Sequence, residues 1–376
     1  MALKTINDEH LVAIGNAIRE KNGTTTQYKP SEMGAAISAL SGGDFDEEDL
    51  KLTGDIDYMF YQGNWDWFLN KYGHQITTED IDSAQYCFEG STVEAIPFEI
   101  NCFTPTYNLG TTVARMFYNC KNLKEAPVIN NLTPSGMSYM FNGCSKLKSI
   151  NNINISDGSK LTYGIANMFD GCNSLRNINP NLLAPLSNDT SGNGVGSMFF
   201  GCYSLDEVIN MPAPNAKLGP YNKFTNTFVY CWRLKDVIFK TNENGTPLVR
   251  NWSGQSIILT SAGWIVNTRP ITDITGYNSG ITADKAVSDA ATYEVLKNDP
   301  DWFATTSEYS RYNHDSAVNT INSLPDCSAY LASSGEAVNT IKFISYAGEA
   351  TDGGAISNLT EEEIAVAVAK GWTVTY

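Results

Sequence analysis

The chain has 376 residues, of which 42% are hydrophobic, enough for two or three domains or one long repeat array and too many for a disordered polymer. Lys and Arg total 25 against 41 Asp and Glu, so the formal charge of −16 repels a phosphate backbone and excludes nucleic acid as a partner. Only 18% of residues are charged, which leaves Asn, Ser, Thr and Gly to cover much of the exterior.

The N-terminal stretch "MALKTINDEHLVAIGNAIREKNG" carries charges inside its apolar positions and lacks the unbroken apolar core and small-residue cleavage site of a secretory signal. Leu11, Ile14 and Ile18 fall at helical spacing before Gly23, and Met33, Ile37 and Leu40 share one face behind Pro30. These spacings predict two short amphipathic helices, followed by a break at Ser41-Gly42-Gly43. The acidic stretch "DFDEEDLKLTGDID" opens the next segment and is expected to be a solvated linker and N-cap. It has Asp49 where a calcium-binding EF-hand loop needs Gly.

From residue 59 one motif returns: Met59-Phe60, Cys87-Phe88, Met116-Phe117, Met140-Phe141, Met168-Phe169, Met198-Phe199 and Thr227-Phe228. Four central units obey M-F-x-[GN]-C-x-x-L-x-x-[IVA], placing Phe117, Cys120 and Leu123, Phe141, Cys144 and Leu147, Phe169, Cys172 and Leu175, and Phe199, Cys202 and Leu205 in phase. A unit of this size buries too few side chains to fold alone, so these residues are expected to point inward and to be covered by the neighbouring units. The Gly four residues before Met in "GMSYM", "GIANM" and "GVGSM" suggests a tight turn entering one helical turn. The L-x-x-I that follows, with Pro97, Pro127, Pro180 or Pro212 nearby, suggests a short strand that stops abruptly.

Beyond residue 240 the period blurs. "SIILT" and "GWIV" predict strands, and "ADKAVSDAATYEVLKNDPDWF" predicts a helix ending near Pro300. Closer to the end, "VNTIKFI" predicts a strand, "LTEEEIAVAVAK" a helix with Thr360 and Glu363 as capping box and Gly371 as its stop, and "WTVTY" a last strand. The longest apolar run in this part, "IAVAVA", falls far short of a membrane span, so the chain is expected not to cross a bilayer.

The [MA]-F-x-x-C-x-x-L-x-x-I repeat resembles the BspA-like class of leucine-rich repeat, found in surface and phage proteins of anaerobic and Gram-positive bacteria. The resemblance implies an α/β leucine-rich-repeat solenoid with short parallel strands in one sheet, preceded by the two-helix segment. The pattern "L-x-x-I-x-x-A-I-R-x-K-x-G-T-T … K-P-S-E-M" resembles a small module at the N-terminus of phage tail and baseplate accessory proteins, and the "T-x-E-E-I-A-x-A-x-x-K-G-W-T" ending resembles an oversized final unit of the same repeat family. The organisation expected is 1–43 as a helical attachment or oligomerisation segment with linker, 44–240 as the repeats and 241–376 as irregular repeats and cap.

Chemical motifs are sparse. The eight cysteines, Cys87, Cys102, Cys120, Cys144, Cys172, Cys202, Cys231 and Cys327, have no C-x-x-C and no zinc spacing. Free thiols in the core, cross-unit disulfides and a metal site are the three readings, and one buried thiol per unit explains five of them. His10, His74 and His314 form no H-E-x-x-H, and neither a phosphate loop nor a nucleophile elbow occurs. No catalytic residue, cofactor or metal is nominated. Trp65, Trp67, Tyr72 and Trp252 are candidate ligand-contact aromatics able to stack on sugar rings; core or cap packing is the alternative for each. The resemblance then implies a structural or receptor-binding virion protein made in the host cytoplasm and released by lysis. Other virion proteins would be met through residues 1–43, a host-surface protein or glycan through the repeats, and a homo-oligomer, a trimer by analogy, would form. A bacterial surface adhesin of the same family is the rival, and a glycan-degrading enzyme on such a scaffold a third.

Overall fold

The computed structural model describes residues 51–102, 110–161, 164–189, 194–215, 224, 226–229, 231, 234, 236–261, 314–345 and 359–375. The expected N-terminal helices with Leu11, Ile14, Ile18, Met33, Ile37 and Leu40 lie outside the described residues, as do "GWIV" and the helix expected before Pro300. What is described is a mixed α/β protein of short parallel strands with no closed barrel.

Among the described residues fourteen strands form five sheets, and every strand-to-strand pairing in them is parallel. Strands β1 (Lys51–Asp55), β2 (Thr77–Ser83), β4 (Thr111–Thr112) and β6 (Pro134–Gly136) line up as one sheet just before the Met-Phe motifs. Strands β3 (Ile100–Asn101), β5 (Ile129–Leu132) and β8 (Ile153–Ile155) make a second. The L-x-x-I segments supply β7 (Ser149–Ile150) with β9 (Asn177–Ile178), and β10 (Glu207–Met211) with β11 (Asp236–Phe239). The single sheet that the family resemblance implies is thus replaced by several, because each unit turns more than once and extends its backbone at each straight segment.

The repeat positions occupy the interior. Phe117, Cys120, Leu123, Phe141, Cys144, Leu147, Phe169, Cys172, Leu175, Phe199, Cys202 and Leu205 are all at 0% exposure. Phe60, Phe88, Phe117, Phe141, Phe169, Phe199 and Phe228 stack in one column, with centroid separations of 4.8, 5.3, 5.1, 5.9, 5.6 and 5.8 Å. Each such pair adds about 0.5–1.5 kcal/mol beyond its area burial. Alongside runs a backbone ladder from Phe88 N–H to Met116 O (2.8 Å), Phe117 N–H to Met140 O (2.8 Å), Phe141 N–H to Met168 O (2.9 Å) and Phe169 N–H to Met198 O (2.9 Å).

All eight cysteines are free and buried. They are more than small apolar fillers: the thiols of Cys120, Cys144, Cys172, Cys202 and Cys231 donate to the carbonyl oxygens of Phe88, Phe117, Phe141, Phe169 and Phe199 at 2.9–3.1 Å. Burial pushes the Cys120 thiol up to about 12 and those of Cys144, Cys172 and Cys202 well above the ordinary range, so they stay protonated donors.

Two local expectations are corrected. The Met-Phe segment is not a helical turn but a chain of tight turns, and Pro180 does not end a strand but occupies the first position of helix α2 (Pro180–Leu183), capped by the Asn179 side chain accepting from Asn181 N–H. Helix α1 (Asp66–Tyr72) packs Phe68, Leu69 and Tyr72 inward.

The last of the five sheets follows the repeats: β12 (Ser256–Ser261), β13 (Asn339–Ser345) and β14 (Trp372–Thr375). Helices α3 (His314–Ser323), α4 (Ser328–Ser334) and α5 (Glu361–Ala369) accompany it. The Thr360–Glu363 capping box forms as expected, and Gly371 takes φ +82° just beyond the helix. Helix α3 closes the edge of β11: Thr320 Oγ1 donates to Val237 O at 2.7 Å and Phe239 N–H donates to Ser323 Oγ at 3.0 Å. Arg250 reaches back to the repeats, its guanidinium donating to Ala213 O at 2.7 Å and Ser187 O at 3.2 Å.

Candidate interaction surface

Each unit enters its Phe through a four-residue turn whose third residue has positive φ. The residue before Met or its equivalent is Tyr58 (φ 60°), Tyr86 (60°), Arg115 (56°), Tyr139 (61°), Asn167 (56°), Ser197 (52°) and Asn226 (58°). The turns close through Met59 N–H to Ile56 O, Cys87 N–H to Ala84 O, Met116 N–H to Val113 O and Met140 N–H to Met137 O at 3.2–3.3 Å. Gly or Asn takes such a position at low cost, whereas other L-residues pay roughly 1–2 kcal/mol for it. Asn167 and Asn226 meet that preference. Tyr58, Tyr86, Arg115 and Tyr139 violate it in four consecutive units.

Three of those side chains meet Tyr61 or Tyr118, which follow the Phe of their own units: Tyr58 meets Tyr61, and Arg115 and Tyr139 meet Tyr118. Tyr58 stacks on Tyr86 with centroids 4.7 Å apart and meets Tyr61 edge-on at 5.4 Å. The Arg115 guanidinium lies 5.8 Å from the Tyr86 ring centroid, 4.7 Å from that of Tyr118 and 5.3 Å from that of Tyr139. All six side chains are half-buried. The surface is one continuous face of five tyrosines around a single guanidinium.

Its electrostatics are unusual at two points. Arg115 Nη1 stands 3.9 Å from Glu89 Oε2, beyond hydrogen-bond range, and that oxygen is buried with no hydrogen-bond partner among the described residues. Burial raises the Glu89 carboxyl and Arg115 opposes the rise. At the N-terminal end, Asp57 Oδ1 accepts from the Ser83 hydroxyl at 2.6 Å and from Gln85 N–H. Burial nonetheless lifts the Asp57 carboxyl to about 6, with Asp55 and Asp82 adding repulsion. Asp57 is therefore no part of a solvated acidic linker. Burial also carries the Tyr58 phenol to about 12, so it stays a hydroxyl donor.

Of the four aromatics that the sequence nominates for ligand contact, three are enclosed. Trp65 is 4% exposed and meets Phe60 edge-on, Tyr72 is 2% exposed, and Trp252 is 0% exposed with its indole N–H donating to Pro214 O at 3.1 Å. They are core and cap residues, held there because a large ring gains more from burial than from half-wet exposure. Trp67 alone is open, at 40%, with Lys71 Nζ 5.6 Å from its ring centroid. Sequence reasoning missed Tyr58, Tyr61, Tyr86, Arg115, Tyr118 and Tyr139, although the signal is in the motif itself. Read with their flanks, the first units are "YMFY", "YCFE", "RMFY" and "YMFN", whereas later ones are "NMFD" and "SMFF".

Among the described residues no group of three or more His, Cys, Asp or Glu is arranged to hold a metal ion, and no helix is long and apolar enough to cross a membrane. Compared with protein-family models, with curated proteins and with solved structures, the chain finds no match in any of the three.

Proposed function

We propose that the chain is a non-enzymatic binding component of a phage virion, in the tail, baseplate or fibre. In this reading a BspA-like leucine-rich-repeat solenoid carries the tyrosine–arginine face outward to a host-surface receptor, while residues 1–43 join it to other virion proteins or to further copies of itself. The observation that carries the binding role is the set of strained positions: Tyr58, Tyr86, Arg115 and Tyr139 keep positive φ where Asn167 serves the same turn in the very next unit. Backbone strain of this kind persists where the side chain at that position is needed. Tyr and Arg are also the residues that dominate protein-binding hot spots, and rings already stacked on one another lose little freedom when a partner arrives. The virion setting is supported by the resemblance of the N-terminal and repeat motifs to phage accessory proteins.

The test is fractionation of a lysing culture that expresses the chain with a C-terminal tag. Co-migration of the tag with intact particles at fixed stoichiometry, and its loss when residues 1–43 are deleted, is the expected result. Recovery in the cell-wall fraction without particles overturns it in favour of a surface adhesin.

A further inference from the structure

We infer that Arg115 is the receptor for a single carboxylate on a polypeptide partner, with Tyr86, Tyr118 and Tyr139 as its walls. This rests on the reading of the tyrosine–arginine column as the binding face.

Three features of the site lead there. First, the guanidinium is held in place by rings rather than by hydrogen bonds. Three tyrosine rings lie within 4.7–5.8 Å of Cζ, and the nearest carboxylate oxygen, Glu89 Oε2, is 3.9 Å from Nη1. Its side chain is 38% exposed. A planar fork of donors fixed in orientation, with its hydrogen bonds still to be made, matches a carboxylate bidentately. Second, ring faces of these tyrosines are already occupied by one another and by the guanidinium. Tyr58 and Tyr86 cover each other at an interplanar angle of 11°, and the guanidinium occupies the space over Tyr86, Tyr118 and Tyr139. Sugar recognition by stacking would compete with these contacts for the same ring faces. Third, the charges along the column restrict the partner to one carboxylate. The Glu89 carboxylate already stands 3.9 Å from Arg115, in a chain of net charge −16. A polyuronate or other repeating polyanion meets repulsion from Glu89 and from the net negative chain, whereas an Asp or Glu side chain set among Lys, Arg or neutral residues finds complementary charge beside its single anion.

Replacement by Asn separates binding from folding, because Asn occupies the equivalent left-handed position at Asn167 and Asn226. The full chain is used to select from a random-peptide display library, with a parallel array of sialylated and uronic-acid oligosaccharides. Enriched peptides are expected to share an Asp or Glu flanked by Lys or Arg. Their Kd is expected to weaken about 10- to 100-fold with R115N, the loss of a charge-assisted bidentate pair. R115K is expected to recover little of it, since an ammonium keeps the charge without the fork. Wild-type and variant chains should both unfold in urea as cooperatively folded proteins, which shows that the loss of binding is not a loss of fold. The inference falls if peptides bind R115N as well as wild type, if none with an acidic residue is enriched, or if Arg115-dependent binding is confined to the oligosaccharides. Failure here with the tag still on particles removes the carboxylate site alone; Arg115-dependent peptides with no tag on particles remove the virion reading and leave the site.

Discussion

The thiol of Cys172 donates to the carbonyl oxygen of Phe141, 3.1 Å away and one unit earlier, while the same oxygen accepts from Cys144 N–H at 3.0 Å. A cysteine at this place therefore does two jobs: it fills a small apolar space and supplies a second donor to a buried carbonyl. Serine keeps a donor, but its shorter side chain brings the hydroxyl less close and puts a more polar atom in a dry site. Cys172→Ser is expected to lower stability by about 1–3 kcal/mol, and Cys172→Ala by a similar amount through the cavity and the lost donor. Urea midpoints decide it; an unchanged midpoint for both substitutions contradicts the double role.

Phe169 lies between Phe141 at 5.9 Å and Phe199 at 5.6 Å, so its removal interrupts the column on both faces. Phe169→Ala is expected to cost about 3–5 kcal/mol. Thermal unfolding of the variant should also lose its single transition if the two flanking halves then melt separately.

The left-handed positions give predictions of opposite sign. Ser197 has φ 52° without being a glycine or asparagine, so Ser197→Asn should stabilise by about 0.5–1 kcal/mol. Gly171 has φ +75°, and a Cβ there would stand 3.5 Å from the Cα of Gly143 in the preceding unit. Contact is ordinary at that distance, so Gly171→Ala should cost about 1–2 kcal/mol from backbone conformation alone. Denaturant titration of the two variants beside wild type reads both signs at once.

Asp57 fixes a pH dependence. Its carboxyl titrates near 6 in the native protein and at an ordinary 3.8 when unfolded. Between those values the native state binds more protons, so the Asp57 contribution makes stability fall as pH rises from about 4 to about 6. Above that range the penalty is constant. Asp57→Asn, which still accepts from Gln85 N–H and the Ser83 hydroxyl, should flatten this part of the profile; a slope equal to that of wild type refutes the assignment.

At the other end His314 Nε2 lies 3.1 Å from Glu363 Oε2 and joins the starts of α3 and α5. Burial draws the His314 ring down, yet its contacts with Asp315 and Glu363 outweigh that and raise it above 6.5. The Glu363 carboxyl is lowered below 4.5, chiefly by the backbone N–H of Thr360. The contact contributes fully between the two ordinary values. It is lost as pH falls through the Glu363 value, and again as pH rises through that of His314. Hydrogen exchange of the α5 amides should slow inside that window in wild type and lose the alkaline half of the effect in His314→Gln.

The interior of the repeats was legible in the sequence because Phe, Cys and Leu recur in phase, and phase alone says which side chains must face the same neighbours. The capping box of α5 was legible for the same kind of reason, a local pattern with a local cause. Helix α3 was not. Its inward residues include Ser316, Thr320 and Ser323, which hydropathy assigns to solvent, yet two of these hydroxyls meet backbone groups of β11 across more than 80 residues. The tyrosine–arginine face was not legible because ring size points to tryptophans, whereas the turn geometry gathers smaller tyrosines at the positions beside Met and Phe.

The closing of β11 by Thr320 and Ser323 sets how such a chain lengthens over evolutionary time. Interior units join through identical bonds on both sides, so an in-frame duplication of the 28 residues from Met140 to Asn167 inserts another rung that its neighbours accept unchanged. A copy added after Phe239 meets hydroxyls already placed on that strand and has no backbone to pair with. Growth in reach is thus confined to the middle of the gene, and the last unit stays last however many precede it.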